Sequence, residues 1–236
     1  MLRLVYLVIR FLFEIPFLIF QIKRYKKHPE RYSLEERINW TRKLLRKATR
    51  RARVKLDISG TEYLPKEGGF LVTPNHQGLF DILALFDALD QPFKIVYKEE
   101  LRKISLAADV LDNMEYHAIS RKNLRQSMKV IRSTTKELKD GLPAVIFPEG
   151  TRSREGNHLL EFKGGSFKAA IDAKAPIVPC AMINCFKVLD YNSLKKVNCA
   201  IHFFEPVTYD DYKDLASTEI AEMVQERIQS YINEHD

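Results

Sequence analysis

Apolar positions divide this chain into two regimes. Over the first 22 residues they are nearly continuous, and the charged or amide breaks are Arg3, Arg10, Glu14 and Gln21. At about 100° per residue these four fall within a sector of roughly 40°. The pattern predicts a helix with one narrow polar seam, kinked at Pro16. Over residues 34–53, Leu34, Ile38, Thr41, Leu45, Ala48 and Ala52 recur at three- and four-residue steps, with Lys and Arg in most of the other places. That spacing predicts a basic amphipathic helix.

From residue 54 the pattern changes. VKLDIS, FLVTP, FKIVY, YHAIS, LPAVIF, IVPCAMI and NCAIHFF predict short strands, and residues 80–90, 123–139, 165–174 and 217–233 predict helices. Alternation of this kind predicts an α/β fold. Its central sheet would be mostly parallel or mixed, flanked by helices and preceded by an N-terminal helical pair. The expected division is an arm over 1–53 and an α/β domain over 54–236.

Charge sharpens the division. The net charge is +7, yet residues 1–55 hold sixteen Lys/Arg against four Asp/Glu, so the remainder of the chain is acidic. A basic arm seeks an anionic surface, lipid or nucleic acid. The lipophilic first helix and the KRYKK run after it favour a membrane lipid over nucleic acid, and a cytoplasmic membrane face as the location. Charges within the apolar run and the lack of a small-residue cleavage site argue against a cleaved signal peptide. The three cysteines, Cys180, Cys185 and Cys199, form no CxxC pair or Cys/His cluster, so neither a disulfide framework nor a zinc site is expected.

Candidate chemistry sits at the ends of the predicted strands. After FLVTP comes NHQGLFD, with His76 and Asp81 five residues apart. On a regular helix they would diverge by about 140°. A turn relaxed by Gly78, followed by a helix starting near Asp81, would let them meet. After LPAVIF comes FPEGTRSREG, which places Glu149, Gly150, Thr151 and Arg152 beyond a strand, where ligands gather in open α/β sheets. Arginine binds phosphate through paired hydrogen bonds. Arg121 follows YHAIS, and Lys163 precedes the Gly164–Gly165 pair at a predicted helix start, so either could meet an anion. Each of these last two segments, taken alone, reads as a solvated charge or a capping turn.

Together, in this order, the segments resemble the glycerolipid acyltransferases, and specifically the 1-acylglycerol-3-phosphate acyltransferases. Asn75, His76 and Asp81 match an N-H-x4-D motif. Phe147 to Ser153 match F-P-E-G-T-R-S. Arg121 matches an arginine after a short strand, and Ile177, Val178 and Pro179 match an apolar strand with an internal proline. The resemblance runs from about residue 54 to 207. Gly78, Ser120 and Glu115 stand where the family often has serine, an acid and glycine.

The resemblance implies transfer of a fatty acyl group from a thioester donor, acyl-CoA or acyl-carrier protein, to the sn-2 hydroxyl of lysophosphatidate, giving phosphatidic acid. His76 would be the general base, with Asp81 fixing its tautomer. Arg121 and Arg152 would hold the acceptor phosphate with help from Lys163. Glu149 would bind an acceptor hydroxyl or brace its loop, and Gly150 and Thr151 would shape that loop. No cofactor or metal is implied. No G-x-S-x-G elbow is present and the cysteines lie outside the motifs, which favours direct transfer over an acyl-enzyme. Glycerol-3-phosphate or another lysophospholipid would be the alternative acceptor. A non-catalytic membrane or nucleic-acid adaptor, and a metallohydrolase built on His76 and Asp81, are readings of other classes.

Overall fold

The computed structural model describes residues 2–120 and 123–235. The arm comprises α1 (Leu2–Phe11), α2 (Ile15–Lys27) and α3 (Leu34–Arg51). The body follows in the order β1 (Val54–Ser59), β2 (Leu71–Pro74), α4 (Asp81–Ala88), β3 (Lys94–Lys98), α5 (Ser105–Asn113), β4 (His117–Ile119), α6 (Leu124–Lys139) and β5 (Ala144–Val145). It continues with α7 (Lys168–Ala173), β6 (Ile177–Ile183), α8 (Phe186–Leu189), β7 (Val197–Phe203), α9 (Tyr209–Tyr212) and α10 (Ser217–His235). All seven expected strands are present, although LPAVIF keeps only two residues in the ladder. The helix expected over 165–174 is shorter. A 3-10 turn over Gly164–Phe167 leads into α7, which Lys174 ends in the left-handed region.

The sheet is mixed, in the order β1-β7-β6-β2-β5-β3-β4. Neighbours are parallel except β6 and β7. Alternation along each strand splits the core in two. Val72, Val145 and Val178 face one cluster with Phe80, Leu85 and Phe86 of the α4 segment, Leu111 of α5 and Ile38 of α3. Leu71, Ala144 and Ile177 face another with Val130 and Leu138 of α6, Ala169 of α7, and Ile220, Val224 and Ile228 of α10. β6 is buried along its whole length, as expected of a strand covered on both faces.

The arm departs from the sequence expectation in two respects. The single kinked helix is two helices bent by 88°. The chain turns at Leu12–Glu14, where the Glu14 amide reaches Phe11 O at 2.7 Å, and Pro16 then sits in the first turn of α2. Proline starts the second helix, where its missing N–H costs nothing, and does not bend the first. The polar seam turns into the protein. Buried Arg3 donates to the carbonyls of Ala52, Ser193 and Lys195, and Glu14 accepts from Lys47 at 2.6 Å and Arg51 at 2.7 Å. Leu4, Val8, Ile9, Leu12, Phe13, Phe17 and Phe20 remain exposed. No single helix among the described residues is long and apolar enough to cross a membrane, though the bent pair together has the length and composition.

The second departure is α3. Its arginines were expected to face headgroups, but most bind the protein. Arg37 donates to Asn113 O and to Glu115, Arg42 to Gln91 O, and Arg46 to Phe86 O and to Asp90. The apolar stripe of α3 packs on the body, so arginines beside it meet carbonyls and carboxylates there before any lipid. Lys43 and Arg50 on α3, and Lys23 and Lys27 on α2, are the exposed cations left on this side.

Candidate active site

β2 and β5 are adjacent and parallel, so NHQGLFD and FPEGTRS leave the sheet side by side. The sequence offset that pairs Leu71 with Ala144 carries on past the strands and brings His76 level with Glu149. Asn75 holds the chain as it leaves β2. Its side chain donates to Met182 O at 3.0 Å and accepts from Met182 N at 2.7 Å, continuing the ladder to β6 by a side chain. The chain then turns. The amides of Gln77 and Gly78 both donate to Asp81 Oδ2, at 2.7 and 2.9 Å, as α4 begins.

The same oxygen lies 2.7 Å from His76 Nδ1. Asp81 is fully buried and α4 starts at it, so its carboxylate sits among peptide N–H dipoles. A carboxylate accepts only, so Nδ1 carries the proton and Nε2 keeps a lone pair. The imidazole packs against Phe147 with ring centroids 4.2 Å apart and remains partly accessible. His76 therefore presents an oriented, unprotonated Nε2.

The second loop is tied to the first through its backbone. Glu149 accepts from the His76 amide at 2.7 Å and from the Leu160 amide at 3.1 Å, and Ser153 N donates to His76 O at 2.9 Å. Of the two roles the sequence left open for Glu149, bracing is the one visible in its contacts. Burial pushes the Glu149 carboxyl up to about 7, against the pull of those two amides. Gly150 closes a turn onto Phe147 O with a φ of 65°, a conformation glycine adopts without strain.

A cleft of about 690 Å³ opens beside His76. Gly150 and Lys163 also border it, but most of its wall is apolar: Ile82, Ile95, Leu101, Leu124, Met128 and Ile131 are examples. Thr151 is exposed, and half-exposed Arg152 faces Asp190 at 3.4 Å. Arg121 lies outside the described residues. Among the described residues, no group of three His, Cys, Asp or Glu is placed to hold a metal ion.

Sequence reasoning missed several contributors. Gln77 joins the two loops to the end of β6: its side chain donates to Asn157 Oδ1 at 2.6 Å and accepts from Cys185 N at 2.9 Å. Asn157 in turn accepts from Asn184 N at 2.9 Å. Asp190, at the end of α8, is the acidic partner of Arg152. Burial raises its carboxyl while Arg152 pulls it back. The faint signal for both Asn184 and Asp190 was position, because they follow the carboxyl end of β6 as the two motifs follow β2 and β5.

The family model described as Acyltransferase matches residues 55–183. Among curated proteins, the 1-acyl-sn-glycerol-3-phosphate acyltransferase of Borreliella burgdorferi is 30% identical over 155 residues, spanning 64% of this chain and 62% of that protein. The protein of the same description from Helicobacter pylori is 28% identical over 168 residues, spanning 71% and 70%. The match thus spans less than two thirds of the Borreliella relative. The crystal structure of the 1-acyl-sn-glycerophosphate (LPA) acyltransferase PlsC from Thermotoga maritima superposes with a TM-score of 0.74 at 23% identity, covering 99% of this chain and 94% of that one. At that identity the likeness speaks for the fold.

Proposed function

This chain belongs to the acyltransferase family, and from that premise we propose that it moves a fatty acyl group from a thioester to the sn-2 hydroxyl of 1-acylglycerol-3-phosphate, giving phosphatidic acid. The observation that carries the reading is the oriented imidazole of His76, its Nδ1 bound to Asp81 at 2.7 Å, at the edge of a largely apolar cleft. The relatives named for this reaction support the choice of substrate.

In this mechanism Nε2 of His76 takes the proton of the acceptor hydroxyl as its oxygen attacks the thioester carbonyl. The imidazolium that forms is stabilised by Asp81. The tetrahedral intermediate collapses with breakage of the C–S bond, and the imidazolium returns its proton to the departing thiolate. Atoms balance without an enzyme nucleophile. The apolar wall of the cleft suits an acyl chain, whose burial is worth about 0.8 kcal/mol per methylene. Arg121, Arg152 and Lys163 would hold the acceptor phosphate, and Gly150 and Thr151 would shape the loop beside it. The donor is acyl-CoA or acyl-carrier protein, since either carries the thioester.

The arm fits the same reading. Residues 1–53 would lie on the cytoplasmic face of the cell membrane, with the exposed aliphatic and aromatic side chains of α1 and α2 in lipid and residues 54–236 as the acyltransferase domain. Acceptor and product are amphiphiles, so a membrane-seated enzyme meets both where they reside.

The decisive experiment measures thiol release from acyl-CoA, and separately from acyl-carrier protein, by purified protein in lipid. Acceptors are lysophosphatidate, glycerol-3-phosphate, another lysophospholipid, or none. Release that requires lysophosphatidate and yields phosphatidic acid is expected. Release with glycerol-3-phosphate alone would redirect the acceptor, and no release with any acceptor would refute the reading.

A further inference from the structure

Asp190 stands outside both loops that carry the site, yet it touches each of them. One carboxylate oxygen lies 3.4 Å from Arg152 Nη1, in the FPEGTRS loop. On the other side the carboxylate accepts from the Leu79 amide, in the NHQGLFD turn. Its Oδ2 presses so closely on Gly78 that a Cβ there would lie 2.4 Å from it, with the Phe186 Cα at 3.1 Å. The Asp190 backbone is itself anchored, donating to Phe186 O at 3.1 Å at the end of α8. The carboxylate is therefore fixed from three directions before it meets the guanidinium.

We infer that Asp190 is a positioning residue for acceptor recognition: it sets the Arg152 guanidinium relative to His76, and Gly78 is glycine to let it do so. The inference rests on the reading of Arg152 as a ligand of the acceptor phosphate. Arginine has four rotatable side-chain bonds, and a free one would lose most of that freedom on binding phosphate. A carboxylate that already orients the planar fork removes part of that cost, leaving other N–H groups of the fork to meet the phosphate. Because Asp190 is held through the turn that also carries His76 and Asp81, the distance between phosphate site and base is set by one short chain of contacts. The acceptor hydroxyl is thereby presented to Nε2 at a fixed reach.

The test compares Asp190→Ala, Asp190→Asn, Gly78→Ala, the double variant Gly78→Ala/Asp190→Ala and Arg152→Ala. Each is assayed with lysophosphatidate and with the phosphate-free acceptor monoacylglycerol, and melting curves establish that it folds. Asp190→Ala is expected to raise the apparent KM for lysophosphatidate about fivefold, the loss of one orienting hydrogen bond. The donor KM and the rate with monoacylglycerol should stay as in the wild type. Asp190→Asn, nearly the same size, should show a smaller rise of the same kind and serves alone if the alanine variant does not fold. Gly78→Ala should displace the carboxylate and raise the same KM, while the double variant should be no worse than Asp190→Ala, because the displaced group is gone.

Two failures are distinguishable. If Arg152→Ala erodes the preference for the phosphorylated acceptor and the Asp190 variants do not, the inference is wrong and the phosphate reading stands. If Arg152→Ala leaves that preference intact, the phosphate reading of Arg152 falls and takes the inference with it. An equal loss with both acceptors in the Asp190 variants would also overturn it, since Asp190 would then serve only the His76 turn.

Discussion

Asp81 Oδ2 receives three donors at once: the ring nitrogen Nδ1 of His76 at 2.7 Å and the amides of Gln77 and Gly78 at 2.7 and 2.9 Å. One buried oxygen therefore folds the turn and orients the imidazole. Replacing Asp81 by Asn puts an amide where a carboxylate took all three protons, and the neutral imidazole is free to place its proton on Nε2. We expect kcat to fall by about 10²- to 10⁴-fold, and His76→Ala to match or exceed that loss. Steady-state kinetics on folded protein check this. Turnover within threefold of wild type for His76→Ala would refute the base assignment.

Asn75 is buried and makes a two-point bond to the backbone of Met182. Asn75→Ala strands a buried amide and a buried carbonyl at the end of β6. Stability should drop by about 2–4 kcal/mol. Urea unfolding measures it, and a drop under 1 kcal/mol would mean water replaces the lost side chain without difficulty.

Glu149 carries a pH signature. Burial raises its folded pKa to about 7 from the ordinary 4.5, so the folded state holds its proton more tightly than the unfolded chain does. Its contribution to stability is then fully present below about pH 4.5 and is lost as pH rises through 7. Glu149→Gln should flatten this part of the stability profile between pH 4.5 and 7. The glutamine also leaves an amide group facing a backbone N–H, which lowers stability by an amount that does not vary with pH. The slope is therefore the diagnostic. Parallel slopes for wild type and variant would show that Glu149 titrates in its ordinary range.

The arm should bind lipid through two separable parts. Phe13 is 96% exposed, and Phe17 and Phe20 are also exposed. Changing all three to Ser should weaken binding to neutral and anionic vesicles alike. Reversing the charge at Lys23, Lys27, Lys43 and Arg50 should weaken binding to anionic vesicles only, and less at high salt, where screening already removes the attraction. Reversing Arg46 and Arg51, which are paired with Asp90 and Glu14, should instead lower the melting temperature. Vesicle sedimentation and thermal melting together assign each residue to one group or the other.

All three cysteines are free and buried. Burial pushes the Cys180 thiol well up, and the Cys199 thiol beside Cys185 raises that one. Thiolates are scarce under these conditions, so none should attack a thioester. Mass spectrometry after mixing with donor alone should show an unmodified chain. A stoichiometric acyl adduct on any of the three would replace direct transfer with a two-step route.

Much was legible in the sequence because it is local. Strand and helix periodicities marked the strands and the long helices of the body, and each is set by neighbours within a few residues. The NHQGLFD turn was also a local matter: Asp81 needs only a short loop and a helix start to fold back on His76, and Gly78 and the apolar run after it announced both. The basic arm and its lipophilic first helix were visible as composition.

Tertiary structure decided what depends on pairing across distance. No periodicity says that β2 lies beside β5, so the contact of the His76 amide with Glu149 was out of reach until the register was known. Asp190 gave almost no signal, because a single acid after a short helix looks like any surface charge until the fold sets it between Gly78 and Arg152. The fate of the α3 arginines was hidden for the same reason. A cation beside an apolar stripe faces lipid or protein according to what packs on the stripe, and here Asn113, Gln91 and Phe86 supply the carbonyls. Sequence determined which residues could do chemistry and the local shape each would take, since short-range sterics and hydrogen bonds set both. Only the fold decided which of them share a site, since that depends on the order of strands in the sheet.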